Sequence, residues 1–106
     1  MKLLILSIGR DIVSSAERQL GRSADAVVRA GDIKPEQYSE IRREVYEWLR
    51  NWQGDTIQLV LSGPLALAFT LGQLAGLNHF DLQIFHYDSE QRTYLEVPMP
   101  TRQEIL

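Results

Sequence analysis

The sequence predicts an α/β protein built on a mainly parallel sheet. Short apolar runs of strand length alternate along the chain with stretches that have helical periodicity. Glycine, proline and polar residues separate these segments, and the last two strands lie close enough to form a hairpin. The predicted order is β-α-β-α-β-α-β-β, in which right-handed crossovers make the sheet parallel and the C-terminal hairpin is antiparallel.

The first segment, from Lys2 to Ser7, is a continuous apolar run that is typical of a strand buried on both faces. Ile8-Gly9-Arg10 forms the turn that follows it. Asp11 is the predicted N-cap of a helix that continues to about Leu20 and has its apolar residues on one face. Residues 26–29 are predicted to form the second strand.

The second helix begins at Pro35, a residue that suits the first helical turn because its missing N–H has no partner there. It continues to about Trp52, and its charged residues lie mainly away from one apolar stripe. We expect both tryptophans to be core residues and not platforms for base stacking. The stripe contains Tyr38, Ile41, Val45, Trp48, Leu49 and Trp52.

A strand over 56–61, a helix over 64–77, a strand over 81–87 and a hairpin strand over 93–97 complete the pattern. Ile57 to Leu77 is 21 residues long and uncharged, which is enough to span a bilayer. Ser62-Gly63-Pro64 interrupts this run, which favours a strand, a turn and a helix over a membrane span. The apolar start of the chain is not followed by a small-residue cleavage site, so we expect a cytoplasmic protein that does not enter a membrane.

The 106 residues are predicted to form one domain over 1–98, followed by a tail over 99–106. The chain has no cysteine, which excludes disulfides, thiolate metal sites and cysteine nucleophiles. With two histidines no metal site is supported, and the net charge of −3 argues against binding to long nucleic acid. Of the eleven basic residues, nine lie in residues 1–53, so an anion site is to be sought in the first half.

Two strand-to-helix turns contain the candidate ligand-binding residues. Each follows an apolar strand with a serine and a glycine, and the first adds an arginine that suits a phosphate. The start of a helix offers unpaired N–H groups to an anion, so two adjacent turns would form one cleft. The alternative is that both are ordinary turns selected for tightness. The candidates are Ser7, Ile8, Gly9 and Arg10 in the first turn and Ser62, Gly63, Pro64 and Leu65 in the second.

The helix over 65–77 is apolar on nearly all sides, which is unusual for a surface helix. Its small residues allow close approach of another backbone, so we expect a homodimer. Signals for an enzyme are few, and no catalytic residue is assigned. His86 lies in a strand between two aromatic residues and is interpreted as structural.

The segment 57–97 resembles the core of SAVED domains, which are relatives of the CARF domains that sense cyclic oligonucleotides in bacterial antiviral defence. The resemblance rests on the apolar strand, Ser62-Gly63-Pro64, the helix with Ala66, Ala68, Phe69 and Gly72, the pair Tyr87-Asp88, and Tyr94. In size the chain is also similar to the small ancillary proteins of type III CRISPR systems, some of which are ring nucleases.

The resemblance implies a Rossmann-like, three-layer fold and a cyclic oligoadenylate bound across a homodimer, with cyclic tetra-adenylate favoured because its two-fold symmetry suits a dimer. The protein would then buffer or sense this ligand and would need no cofactor. A ligand-bridged higher assembly stays open. One alternative is a metal-independent ring nuclease that cleaves the same ligand, and another is an α/β protein-interaction module without a ligand.

Overall fold

The computed structural model describes residues 1–88 and 90–98, so the predicted tail over 99–106 lies outside the described residues. It confirms the α/β prediction, and every predicted element is present with bounds that differ by one or two residues. The elements are β1 (Lys2–Ile8), α1 (Val13–Leu20), β2 (Ala26–Ala30), a 3-10 helix (Pro35–Gln37) that leads into α2 (Tyr38–Asn51), β3 (Ile57–Ser62), α3 (Leu65–Leu77), β4 (Leu82–Asp88) and β5 (Thr93–Val97).

The five strands form one mixed sheet in the order β2-β1-β3-β4-β5. β1 pairs in parallel with both β2 and β3, and β3 pairs in parallel with β4. β5 pairs with β4 in the antiparallel sense, as the predicted hairpin requires. A mainly parallel sheet of this kind is compatible with a Rossmann-like fold.

The helices lie on opposite faces of the sheet. α1 packs on one face, where Val13 and Ala16 join a buried cluster with Leu3 and Ile5 of β1. α2 and α3 pack on the other face. The alternate residues of β1 therefore enter two different cores, which explains why Leu3 to Leu6 form an unbroken apolar run. The second core contains Leu4, Leu6, Val28, Val45, Leu49, Leu59, Leu67 and Leu71.

The connectivity creates a crevice at the carboxyl ends of β1 and β3. The chain runs from β1 to β2 on one side and then crosses to β3 on the other side of β1. This reversal of strand order is a topological switch point, the place where open α/β sheets bind ligands. The strand pairing places Ser7 directly beside Ser62 at that edge.

Both tryptophans of α2 contribute to the core, as predicted. Trp52 is buried, and Trp48 is half-buried with its ring centroid 5.3 Å from that of Trp52. α3 differs from α2, because Leu65, Phe69 and Leu77 are 88%, 70% and 80% exposed. Within residues 1–88 and 90–98, no helix combines the length and the apolar character that a bilayer span needs.

Candidate functional site

The turn between β1 and α1 is fixed by hydrogen bonds of its own side chains. The Ser7 hydroxyl is buried, donates to the Arg10 carbonyl at 2.8 Å and accepts from the Ile12 N–H at 3.1 Å. The Asp11 carboxylate accepts from the Val13 N–H at 3.2 Å. The N-cap residue is Ile12 and not Asp11, so the predicted cap is wrong by one residue although the Asp11 side chain still binds a helical N–H. The start of α1 therefore has its first donors occupied by the chain itself.

Gly9 allows this turn to close. Its φ of 78° lies in the left-handed region, which a residue with a Cβ adopts only at a cost. Its N–H donates to the Ala30 carbonyl at 2.9 Å, which joins the turn to the end of β2. A Cβ at Gly9 would also lie 3.2 Å from Oδ1 of Asp32. The result is a rigid loop whose next residue, Arg10, is exposed.

The turn between β3 and α3 is open by comparison. Pro64 occupies the N-cap position, and no side chain of the described residues caps the helix there. The first N–H groups of α3 therefore have no side-chain acceptor among the described residues. They lie at the end of the turn that contains Ser62, which is half-buried, and Gly63, which is exposed. A helix start of this kind suits an anion.

The two turns contact each other through Ile8 and Gly63. Ile8 is buried in the core beneath α2 and α3. A Cβ at Gly63 would lie 3.1 Å from the Cβ of Ile8. Glycine is therefore needed here for close approach, and the role of Ile8 is to support the second turn from below.

A cleft of about 320 Å³ opens between the two turns, and we call it the switch-point cleft. It brings Arg10 of the first turn together with Ser62, Gly63 and Leu65 of the second. Pro64 adjoins it but is not one of its lining residues. The full lining is Arg10, Ile12, Leu61, Ser62, Gly63, Leu65, Ala68, His86, Tyr87 and Tyr94.

Ser7 and Gly9 line a different cleft of about 300 Å³ at the ends of β1 and β2. Arg10 lines this one as well, together with Asp11, Arg29, Ala30 and Gly31. The sequence-predicted residues are thus divided between two neighbouring clefts, and Arg10 belongs to both.

An aromatic pair adds to the switch-point cleft. The Arg10 guanidinium carbon lies 5.3 Å from the centroid of the Tyr87 ring, a cation–π geometry. Tyr87 meets Tyr94 edge to face at a centroid distance of 5.4 Å. Sequence reasoning used both tyrosines as marks of a resemblance but did not assign them to the site, and it interpreted His86 as structural. These three residues could have been assigned to the site from their place in the hairpin. His86 and Tyr87 lie in β4 and Tyr94 lies in β5, the two strands that follow β3 in the sheet.

The chemistry of the cleft suits a phosphate joined to a planar group. Arg10, the Ser62 hydroxyl and the backbone donors of α3 offer positive charge and hydrogen bonds to phosphate oxygens. Tyr87 offers an aromatic ring to a base. Among the residues that line it in the described part of the chain, none is a carboxylate. The described residues also contain no group of three or more potential metal ligands.

The comparisons with known proteins agree with this arrangement. Residues 4–97 match the family model of SAVED, described as the SMODS-associated and fused to various effectors sensor domain. Neither the search of curated proteins nor that of solved structures finds a match. The match begins within β1, extends to the end of β5 and includes all three α-helices. The chain therefore belongs to the SAVED family, whose domains sense cyclic oligonucleotide second messengers.

Proposed function

We propose that this chain binds a cyclic oligoadenylate, with cyclic tetra-adenylate the favoured ring, and buffers or senses it in type III CRISPR antiviral defence. The observation that carries the proposal is the position of Arg10, which lies over Tyr87 and opposite the uncapped start of α3. A phosphodiester at Arg10 would have backbone donors on its other side. The family match supports the ring, and the resemblance noted above supports adenine and the CRISPR setting.

We further propose that the ligand is bound by a homodimer formed through α3. This helix carries no charged residue, and it exposes Leu65 and Phe69 next to the switch-point cleft. Gly72 and Gly76 have open space where a Cβ would stand, so a second helix could approach closely. Since most homodimers are two-fold symmetric, two clefts would flank one axis and match a ring with the same symmetry.

Ring cleavage is the second candidate function, and His86 favours it. His86 is one of the residues that line the switch-point cleft, together with Ser62 and Arg10. A ribose 2′-hydroxyl of the ligand would be the nucleophile, His86 would accept its proton, and Arg10 would stabilise the charge on the phosphate. Each cleavage forms a P–O2′ bond and breaks the P–O5′ bond, and the proton taken from the 2′-hydroxyl passes on to O5′, which leaves a 2′,3′-cyclic phosphate and a 5′-hydroxyl.

The test is native mass spectrometry of the protein mixed with cyclic tetra-adenylate at near-equal concentration and followed for an hour. An intact ring on a dimer supports a buffer or sensor, and linear products that disappear in His86→Ala support the nuclease. Arg10→Gln should weaken binding about 10- to 100-fold, because a charge-assisted hydrogen bond is worth about 1.5–3 kcal/mol. Arg43→Gln, an exposed change on α2, is the matched control.

Other outcomes would contradict the proposal in separate ways. Equal affinity of Arg10→Gln and the wild type for the ligand would contradict the assigned site. A wild-type protein that is monomeric, with the same molecular mass as Phe69→Glu, would contradict the α3 dimer. Failure to bind rings of three, four and six adenylates would favour an interaction module without this ligand.

A further inference from the structure

A third cleft, of about 370 Å³, lies between α1 and the β4–β5 hairpin, and we call it the arginine cleft. Three guanidinium groups line it, from Arg10, Arg18 of α1 and Arg92 of the hairpin turn. No acidic residue of the described chain is part of this lining, although the protein as a whole has a net charge of −3. The arginine cleft is therefore positively charged although the protein as a whole is negatively charged.

The walls of the arginine cleft are joined by direct hydrogen bonds. The Gln19 side-chain amide donates to the Tyr94 carbonyl at 2.7 Å, and its oxygen accepts from the Tyr94 N–H at 2.6 Å. The Ser15 hydroxyl and the Tyr94 phenol are 2.8 Å apart. The distance between α1 and the hairpin is thus fixed before any ligand enters, which lowers the entropic cost of binding.

The backbone at Arg92 has a conformation that is costly for this residue type. Its φ is 54°, in the left-handed region, where glycine or asparagine is the common choice. A glycine in this turn would relieve the strain but would remove the charge. Such outliers are characteristic of functional positions. Two acidic residues closely precede Arg92 in the sequence, and neither lines the arginine cleft. Asp88, at the end of β4, accepts from the Glu90 N–H at 3.0 Å, and Glu90 is exposed in the turn.

We infer that the arginine cleft is a second phosphate-binding site, which takes another phosphodiester of the ligand whose first phosphate lies at Arg10. Arg10 lines both clefts, and Tyr87 and Tyr94 are also shared, so the two sites are continuous. Guanidinium groups are suited to phosphate because they donate two parallel hydrogen bonds. The identity of the ligand as a cyclic oligonucleotide rests on the proposed function, whereas the recognition of phosphate does not.

The test uses the double variant Arg18→Gln/Arg92→Gln, which keeps an uncharged polar side chain at both positions and removes two charges. Its affinity for cyclic tetra-adenylate, measured by titration calorimetry, should fall about 5- to 10-fold relative to Arg43→Gln. The loss should shrink in 0.5 M salt, because exposed charges are screened. All the altered side chains are exposed, and circular dichroism confirms that each variant is folded.

A second measurement separates this inference from the proposed function. Pyrophosphate is titrated into the wild type and the double variant, and amide shifts of Ser15 and Thr93 are followed by NMR. Shifts that appear only in the wild type support the arginine cleft even if no cyclic oligoadenylate binds. Equal ring affinity for the double variant and Arg43→Gln, together with no amide shifts in pyrophosphate, would overturn the inference whatever the fate of the proposed function.

Discussion

The two strand-to-helix turns at the switch point start from nearly the same sequence pattern and end with different structures. In the first turn, Ser7 and Asp11 bind the N–H groups of Ile12 and Val13, so the loop is closed on itself. In the second, Ser62 lies beside a helix start that no side chain of the described residues caps. One turn positions an arginine, and the other presents backbone donors. A serine and a glycine near a helix start therefore indicate a tight turn. The hydrogen-bond partners of the serine hydroxyl determine whether the turn has a structural role or can bind a ligand.

The largest expected contrast is between the two serines. Ser7→Ala removes a buried hydroxyl with two partners, so the free energy of unfolding should fall by about 1–3 kcal/mol. Ser62→Ala, at a half-buried site, should change it by less than about 0.5 kcal/mol but should weaken binding of cyclic tetra-adenylate. Urea denaturation and calorimetry of both variants measure the two effects. Equal loss of stability in both variants would contradict the distinction between the turns.

The two glycines should differ by a smaller amount. Gly9→Ala places a Cβ at positive φ and 3.2 Å from Asp32, so we expect a loss of about 1–2 kcal/mol. Gly63→Ala requires no positive φ and brings its Cβ to 3.1 Å from the Ile8 Cβ, a contact that a shift of a few tenths of an ångström would relieve, so it should cost about 1 kcal/mol or less. Thermal unfolding of both variants tests this order. A larger cost at Gly63 would show that the contact between the turns is the more rigid feature.

The smallest effect is expected at Asp11. Asp11→Asn removes a negative charge next to Arg10 but keeps a side-chain oxygen that can accept from Val13. Affinity for cyclic tetra-adenylate should rise about 2- to 3-fold, and stability should change by less than about 0.5 kcal/mol. Asp55→Asn, an exposed change before β3, is the control. Weaker binding in Asp11→Asn would mean that the carboxylate positions Arg10 and does not repel the ligand.

The fold was predictable because each strand and helix has a clear local signal. β1 has an unbroken apolar run because it lies between two cores, and Pro35 begins the 3-10 turn that leads into α2. The uncharged segment from Ile57 to Leu77 was correctly divided at Ser62-Gly63-Pro64, where β3 ends and α3 begins. The order of the strands in the sheet was not predicted, and it is the structure that places β1 beside β3 and so forms the switch point between the two turns.

The site was harder to predict because the spacing of residues along the chain does not show which groups a side chain contacts in the fold. The sequence pattern treats Ser7 and Ser62 alike, whereas burial gives the Ser7 hydroxyl a role within its own loop. Tyr87, His86 and Arg92 reach the clefts only because β4 follows β3 in the sheet and the hairpin returns beside α1. Those placements depend on long-range packing, which a single sequence does not show directly.

The contact between Ile8 and Gly63 has a mechanical consequence. A methyl group fits between them only after a shift of a few tenths of an ångström, so movement of the first turn toward the second would press on Gly63, two residues before α3. Ile8 is itself held in the core beneath α2 and α3, which gives it little freedom to move aside. We therefore expect a displacement of the loop that carries Arg10 to reach the start of the exposed apolar helix through this one contact.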